Sequence, residues 1–110
     1  MPPGEEAQAT AFYEALLGIP RVTKPQHLAA RGGCWFESDG VKIHLGVEVD
    51  FRPARKAHPA LTVDGLDRLV ETLAGAGVAV QAGEPLEGYS HVYVDDPFGN
   101  RIELMEPVSG

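Results

Sequence analysis

Asp95-Asp96-Pro97-Phe98-Gly99-Asn100-Arg101-Ile102-Glu103-Leu104-Met105-Glu106 decides how this chain is read. Asp-Pro and Gly-Asn are turn dipeptides. Beyond the turn the residues alternate: Arg101 polar, Ile102 apolar, Glu103 charged, Leu104 apolar. That is the period of a strand with one buried face. Glu103 therefore falls mid-strand, on the face opposite Ile102 and Leu104, where a carboxylate calls for a reason.

An earlier stretch has the same grammar: Trp35-Phe36-Glu37-Ser38-Asp39-Gly40-Val41-Lys42-Ile43-His44-Leu45. Aligning Gly40 with Gly99 sets Lys42 on Arg101, Ile43 on Ile102, His44 on Glu103 and Leu45 on Leu104. His44 and Glu103 thus take matching positions in two hairpins, and both residue types bind metals.

Outward from these hairpins the chain is punctuated clearly. Met1 to Gly4 reads as loop. Glu5 to Leu17 reads as a helix with Ala9, Phe12, Tyr13, Leu16 and Leu17 on one stripe, stopped at Gly18. Ile19 to Thr23 is a short strand, 25–33 a loop, and Gly33 to Glu37 with Val41 to Val47 the first hairpin. A connector, 48–57, carries Arg52, Arg55 and Lys56. His58 to Val63 is a strand with Leu61 and Val63 on one face and His58, Ala60 and Thr62 on the other. Asp64 suits an N-cap. Leu66, Leu69, Val70 and Leu73 form the stripe of a second helix, stopped near Gly75 and Gly77. Val78 to Gln81 is a strand, and Ser90 to Val94 pairs with Asn100 to Glu106.

The second half reads strand, helix, three strands; the first reads helix, three strands. Glu14-Ala15-Leu16-Leu17-Gly18 also matches Glu71-Thr72-Leu73-Ala74-Gly75 in pattern. The chain is therefore expected to be an internal repeat, the first copy lacking its opening strand.

With 110 residues the chain has the size of one domain. Its hydrophobic fraction, 44%, and charged fraction, 23%, are those of a globular protein. No apolar run reaches membrane-spanning length, and no secretory segment opens the sequence. The single cysteine, Cys34, cannot form an internal disulfide. It lies in an apolar strand and is expected to be a buried structural thiol. A cytoplasmic protein is expected. The net charge of −7 argues against nucleic acid or an anionic membrane as partner. It does not exclude a small anionic ligand.

The chain resembles the vicinal oxygen chelate superfamily of glyoxalases, bleomycin-resistance proteins and extradiol dioxygenases. The carriers are Ala11-Phe12-Tyr13-Glu14-Ala15-Leu16-Leu17-Gly18, His58-Pro59-Ala60-Leu61-Thr62-Val63 and Asp96-Pro97-Phe98-Gly99-Asn100-Arg101-Ile102-Glu103. The resemblance implies an α+β fold of two repeated βαβββ modules forming an open, curved mixed sheet. Residues 1–110 would form one such domain, with module one at 1–47, the connector at 48–57 and module two at 58–110. It further implies metal ligands on the first and last strand of each module. Mapped here, these are His44, His58 and Glu103; the fourth position has no counterpart. Because Pro2-Pro3-Gly4 looks like the loop that follows a strand, a true start upstream of Met1 is expected, in which case one ligand is missing.

Two histidines and a carboxylate suit a borderline divalent ion, whether zinc, nickel, manganese or iron, and leave positions open for substrate oxygens. The candidate catalytic residues are Glu103, His91 and Tyr93, the last two as proton donors sharing a strand face. Plainer readings stand beside these. His58 also fits a simple strand start, His44 a solvated strand position, and Glu103 a cross-strand pair with Arg101 or Lys42. Arg52, Arg55 and Lys56 fit either surface salt bridges or a clamp for a substrate carboxylate or phosphate. The expected function is a metal-dependent lyase, isomerase or dioxygenase acting on a small molecule with vicinal oxygens. The alternative is a metal-free protein that sequesters a small ligand, as resistance proteins do. The resemblance also implies a homodimer.

Overall fold

The structure is a computed structural model and describes residues 1–108; the last two residues of the expected second module lie outside the described residues. The fold is α+β. The chain divides into two compact units at Arg52/Pro53, inside the 48–57 connector.

In the first unit, α1 (Glu6–Thr10) runs on into a π-helical segment, Ala11–Leu16. The single α-helix expected over 5–17 is thus helical of two kinds. The wider winding turns Phe12 and Tyr13 inward together, their rings 5.0 Å apart, and Tyr13 stacks on Phe36 at 5.3 Å. Strands β1 (Arg21–Val22), β2 (Cys34–Ser38) and β3 (Val41–Leu45) form an antiparallel sheet in that order. Its register places Cys34 opposite Leu45 and Phe36 opposite Ile43. Ala9, Phe12, Tyr13, Ile19, Cys34 and Phe36 are buried, so this apolar face is the core side. Burial pushes the Cys34 thiol up in pKa, as expected of a structural cysteine. Between β1 and β2 a short α2 (Gln26–Ala29) stands where the sequence suggests only loop; Pro25 starts it, as proline's fixed φ allows at a helix beginning.

Gly33, at φ +82°, is a position only glycine fills. A Cβ there would stand 2.2 Å from the Leu45 carbonyl oxygen. Its N–H donates to Glu6 Oε2 at 2.8 Å, and this bond holds the Glu6 carboxyl below its ordinary range. Just past the end of β3 the Met1 ammonium donates to the Gly46 carbonyl (2.7 Å) and Glu48 N–H donates to the Met1 carbonyl (2.9 Å).

In the second unit, β4 (Ala60–Thr62), β5 (Gln81–Ala82), β6 (Tyr89–Asp95) and β7 (Arg101–Pro107) form a mixed sheet of order β4-β7-β6-β5. Only β4 and β7 run parallel. Helix α3 (Leu66–Gly75) joins β4 to β5. Leu66, Leu73, Val94, Ile102 and Leu104 are buried and supply the core. The helix ends in a Schellman arrangement: Val78 N–H reaches the Leu73 carbonyl and Gly77 N–H, at φ +84°, the Ala74 carbonyl. This use of Val78 explains why the strand expected from 78 begins only at Gln81. At the other end Asp64 does not cap the helix. The N-cap is Gly65, at φ +71°, and the Glu106 carboxylate at the end of β7 accepts the N–H groups of Gly65 (2.6 Å) and Leu66 (3.2 Å). A carboxylate there also complements the positive end of the helix dipole.

The β6–β7 turn is built by Asp96. Its Oδ1 accepts the Phe98 and Asn100 N–H groups, and its Oδ2 the Asn100 side-chain amide, all within 2.9 Å. Gly99 takes φ +86°. The Asp-Pro and Gly-Asn signals read from the sequence are this turn.

Candidate functional site

Register fixes which residues share the polar face of the second unit's sheet. Tyr93 pairs with both Gln81 and Glu103, Asp95 with Arg101, His91 with Met105 and Ala60 with Glu103. Side chains alternate along a strand. Gln81, His91, Tyr93, Asp95, Arg101 and Glu103 therefore lie on one face, and Val92, Val94, Ile102 and Leu104 on the other.

Glu103 is the centre of that face. Among the described residues it is one of two buried acidic residues, only 9% exposed. Its Oε1 lies 3.0 Å from His58 Nε2 and its Oε2 lies 2.8 Å from His91 Nδ1. The second nitrogen of each ring is pinned to the backbone. His58 Nδ1 donates to the Lys56 carbonyl (2.8 Å), and His91 Nε2 to the Glu84 carbonyl (2.5 Å). Gly83 makes room for this, since a Cβ there would stand 2.5 Å from the His91 ring. Tyr93 makes T-shaped contacts with both imidazoles, its centroid 5.4 Å from His58 and 5.6 Å from His91, and the Arg101 guanidinium lies 4.1 Å over its ring.

The electrostatics follow. The Lys56 carbonyl, and then Glu103, raise the pKa of His58. The Glu84 carbonyl, and then Glu103, raise that of His91. The bond from His58 does most to hold Glu103 below its ordinary value, with His91 adding to it against the opposing effect of burial. A carbonyl accepts only from an N–H, so each ring's remaining nitrogen, if the ring is neutral, turns a lone pair on a carboxylate oxygen. Four acceptors then face one another with no hydrogen between them. Such a cluster requires positive charge, either a proton on each ring or a bound cation.

The donor chemistry fits a borderline divalent ion. A ring N–H held by a backbone carbonyl is also how metal-binding histidines are oriented. His58 Nε2 and Glu103 Oε1, 3.0 Å apart, are the pair that would hold such an ion. The fit is pairwise. Each carboxylate oxygen has one imidazole, and among the described residues no three His, Cys, Asp or Glu side chains are grouped as a metal centre.

Of the residues singled out from the sequence, His58, His91, Tyr93 and Glu103 come together. Glu103 does not pair with Arg101 or Lys42; its partners are the two histidines. His44 belongs to the first unit. There it stacks on Trp35, its cross-strand partner, at 3.7 Å and 4°, and its Nε2 lies 2.7 Å from Glu37 Oε2. Sequence reasoning missed Glu37 as a partner of His44, and also the Lys56 and Glu84 carbonyls. Glu37 was legible in principle, because it lies diagonal to His44 across the hairpin centred on Gly40. The two carbonyls carry no side-chain signal.

Residues 3–104 match the family model described as Glyoxalase/Bleomycin resistance protein/Dioxygenase superfamily. The chain belongs to that superfamily. A solved structure of a protein from Bacillus anthracis assigned to the glyoxalase family is 42% identical, with a TM-score of 0.93 over 98% of this chain and 88% of that one. TnmS3, an antibiotic binding protein from Streptomyces sp. CB03234, is 23% identical with a TM-score of 0.72, covering 98% of this chain and 91% of its own. The fosfomycin resistance protein FosX from Listeria monocytogenes is 16% identical with a TM-score of 0.74, over 93% and 84% of the two chains. The last two show likeness of fold. Among curated proteins none matches by sequence.

Proposed function

We propose that this superfamily member is a divalent-metal-dependent enzyme of lyase, isomerase or dioxygenase type, acting on a small molecule with vicinal oxygens. The observation that carries the reading is the acceptor-lined cluster at Glu103, which demands a cation or two protons. His58 and Glu103 are the ligands with support in the geometry. His44 remains the third ligand of the proposal on the resemblance alone. A bound ion would act as a Lewis acid toward a substrate oxygen. The chain's own residues do the rest. Glu103 stays ionised at neutral pH, His91 holds a proton at Nδ1 beside it, and Tyr93 closes the space between the imidazoles. His91 and Tyr93 are the proposed proton donors.

The test is metal analysis of protein purified without chelator. Stoichiometric metal that is lost in His58→Ala and in Glu103→Ala supports the enzyme. Protein that holds no metal, with thermal stability unmoved by added divalent ions, removes it.

A second reading has one observation in its favour: two protons satisfy the cluster completely, and the described side chains offer pairs of donors rather than triplets. On that reading the chain is a metal-free binder of small molecules, and its net charge of −7 suits a cationic ligand. Either reading is proposed for a cytoplasmic homodimer. No helix among the described residues is long and apolar enough to cross a membrane, and the two-residue β1 leaves a sheet edge of the kind another chain can pair with.

A further inference from the structure

Beside the Glu103 cluster, on the same sheet face, is a polar hollow of about 280 Å³ lined by Ala54, Arg55, Gln81, Asp95, Gly99 and Arg101. Two guanidiniums and one carboxylate give it a net positive charge in a chain whose total is −7. Such a local reversal of sign needs a reason. Among the described residues neither Arg55 nor Arg101 makes a hydrogen bond or ion pair with the protein. Asp95 is the direct cross-strand partner of Arg101, yet no salt bridge joins them. Arg101 is instead laid over the Tyr93 ring. That contact fixes its plane while leaving the N–H fork unused.

A planar fork with free donors is built for a two-oxygen anion. Gln81 adds an amide donor at the same place. From the register, Arg101 stands two residues before Glu103 on one strand face, which sets the hollow about 7 Å from the carboxylate. Tyr93 bridges the two places, touching Arg101 on one side and both imidazoles on the other.

We propose that Arg55 and Arg101 are an anion clamp, and that the substrate is a small molecule with a carboxylate or phosphate tail about 7 Å from its reacting atoms. This deepens the functional reading above and rests on the same site. It assigns the clamp without reference to any ion at Glu103.

Inorganic phosphate and acetate serve as probes, titrated at constant ionic strength set with chloride. Arginine side-chain N–H resonances and the Gly99 amide report binding. The expected result is saturable shifts of both arginines in the wild-type chain. Binding should be at least tenfold weaker in Arg55→Gln, which disturbs no protein contact, and lost in Arg55→Gln/Arg101→Gln. Tighter phosphate than acetate points to a phosphate tail, and the reverse to a carboxylate; either order supports the clamp. Glu103→Ala should keep phosphate binding while losing metal. Shifts that rise linearly without saturation, or equal affinity in the arginine variants, overturn the clamp even if metal binding stands. Retained phosphate binding in a protein that never takes up metal overturns the metal reading alone.

Discussion

Each unit has a histidine beside a glutamate on the polar face of its sheet, and the two pairs are built differently. In the first unit His44 and Glu37 are 2.7 Å apart, with side chains 41% and 26% exposed. The His44 ring stacks on Trp35, and among the described residues no hydrogen bond holds its second nitrogen. In the second unit one carboxylate serves two imidazoles. The exposures fall to 11% for Glu103 and 8% for His91, and both rings are pinned by backbone carbonyls. Exposed pairs are screened and contribute little. Withdrawn groups with fixed partners set each other's charge. Histidine–glutamate pairs on the polar faces of the two sheets thus give a surface contact in one unit and a chemically poised cluster in the other. The difference lies in the backbone that surrounds the side chains.

The sharpest way to test this contrast is at the turns. Asp96 closes its hairpin with three hydrogen bonds from a buried position, whereas Asp39 in the first hairpin is exposed. Asp96→Ala should cost about 3 kcal/mol by urea unfolding, and Asp39→Ala less than about 0.5 kcal/mol. Equal losses would mean that the units are not organised differently. At the paired carboxylates the gap should narrow. Glu103→Ala is expected to cost about 2 kcal/mol by the same measurement, against less than about 0.5 kcal/mol for Glu37→Ala. Helix starts offer a smaller contrast. Helix α1 has no side-chain cap, and α3 is capped from β7 by Glu106. Glu106→Ala should cost about 1 kcal/mol. A full effect from Asp64→Ala instead would restore the cap expected from the sequence.

The smallest effect is on pH dependence, measured without metal. His58 and His91 are raised above 6.5, so their contribution is full below that value and fades as pH climbs through their folded-state pKa. Glu103 is lowered below 4.5, so its contribution is full above that value and fades as pH falls through its folded-state pKa. The cluster therefore stabilises most between 4.5 and 6.5. Gly83→Ala, which crowds the His91 ring, should flatten the upper limb of the curve and weaken the lower one less, because His58 does most to hold Glu103 down. A curve identical to wild type would separate His91 from the cluster.

Much of the fold was legible. The alternation around Ile102 and Leu104, the turn residues Asp96, Gly99 and Asn100, and the stripe through Leu66, Leu69 and Leu73 all state local geometry directly. The π-helical winding at Ala11–Leu16 was not, because its stripe satisfies an ordinary helix equally well. Nor was the capping of α3 by Glu106, a partner some forty residues away. The site was half legible. Strand parity put His91 and Tyr93 on one face and Glu103 opposite Ile102 and Leu104, but the bond from His91 to Glu103 depends on Gly83 yielding space, and the pinning of both rings on carbonyls that any residue carries.

The account stands on Glu103 being the seat of a cation. The direct measurement is calorimetric titration of the metal-stripped chain with a divalent ion, alongside Glu103→Ala and Glu37→Ala. Binding near one ion per chain, accompanied by proton release as His58 gives up its proton at Nε2, is predicted for wild type and Glu37→Ala and should vanish in Glu103→Ala. Binding that survives in Glu103→Ala, or no binding in the wild type, would contradict it.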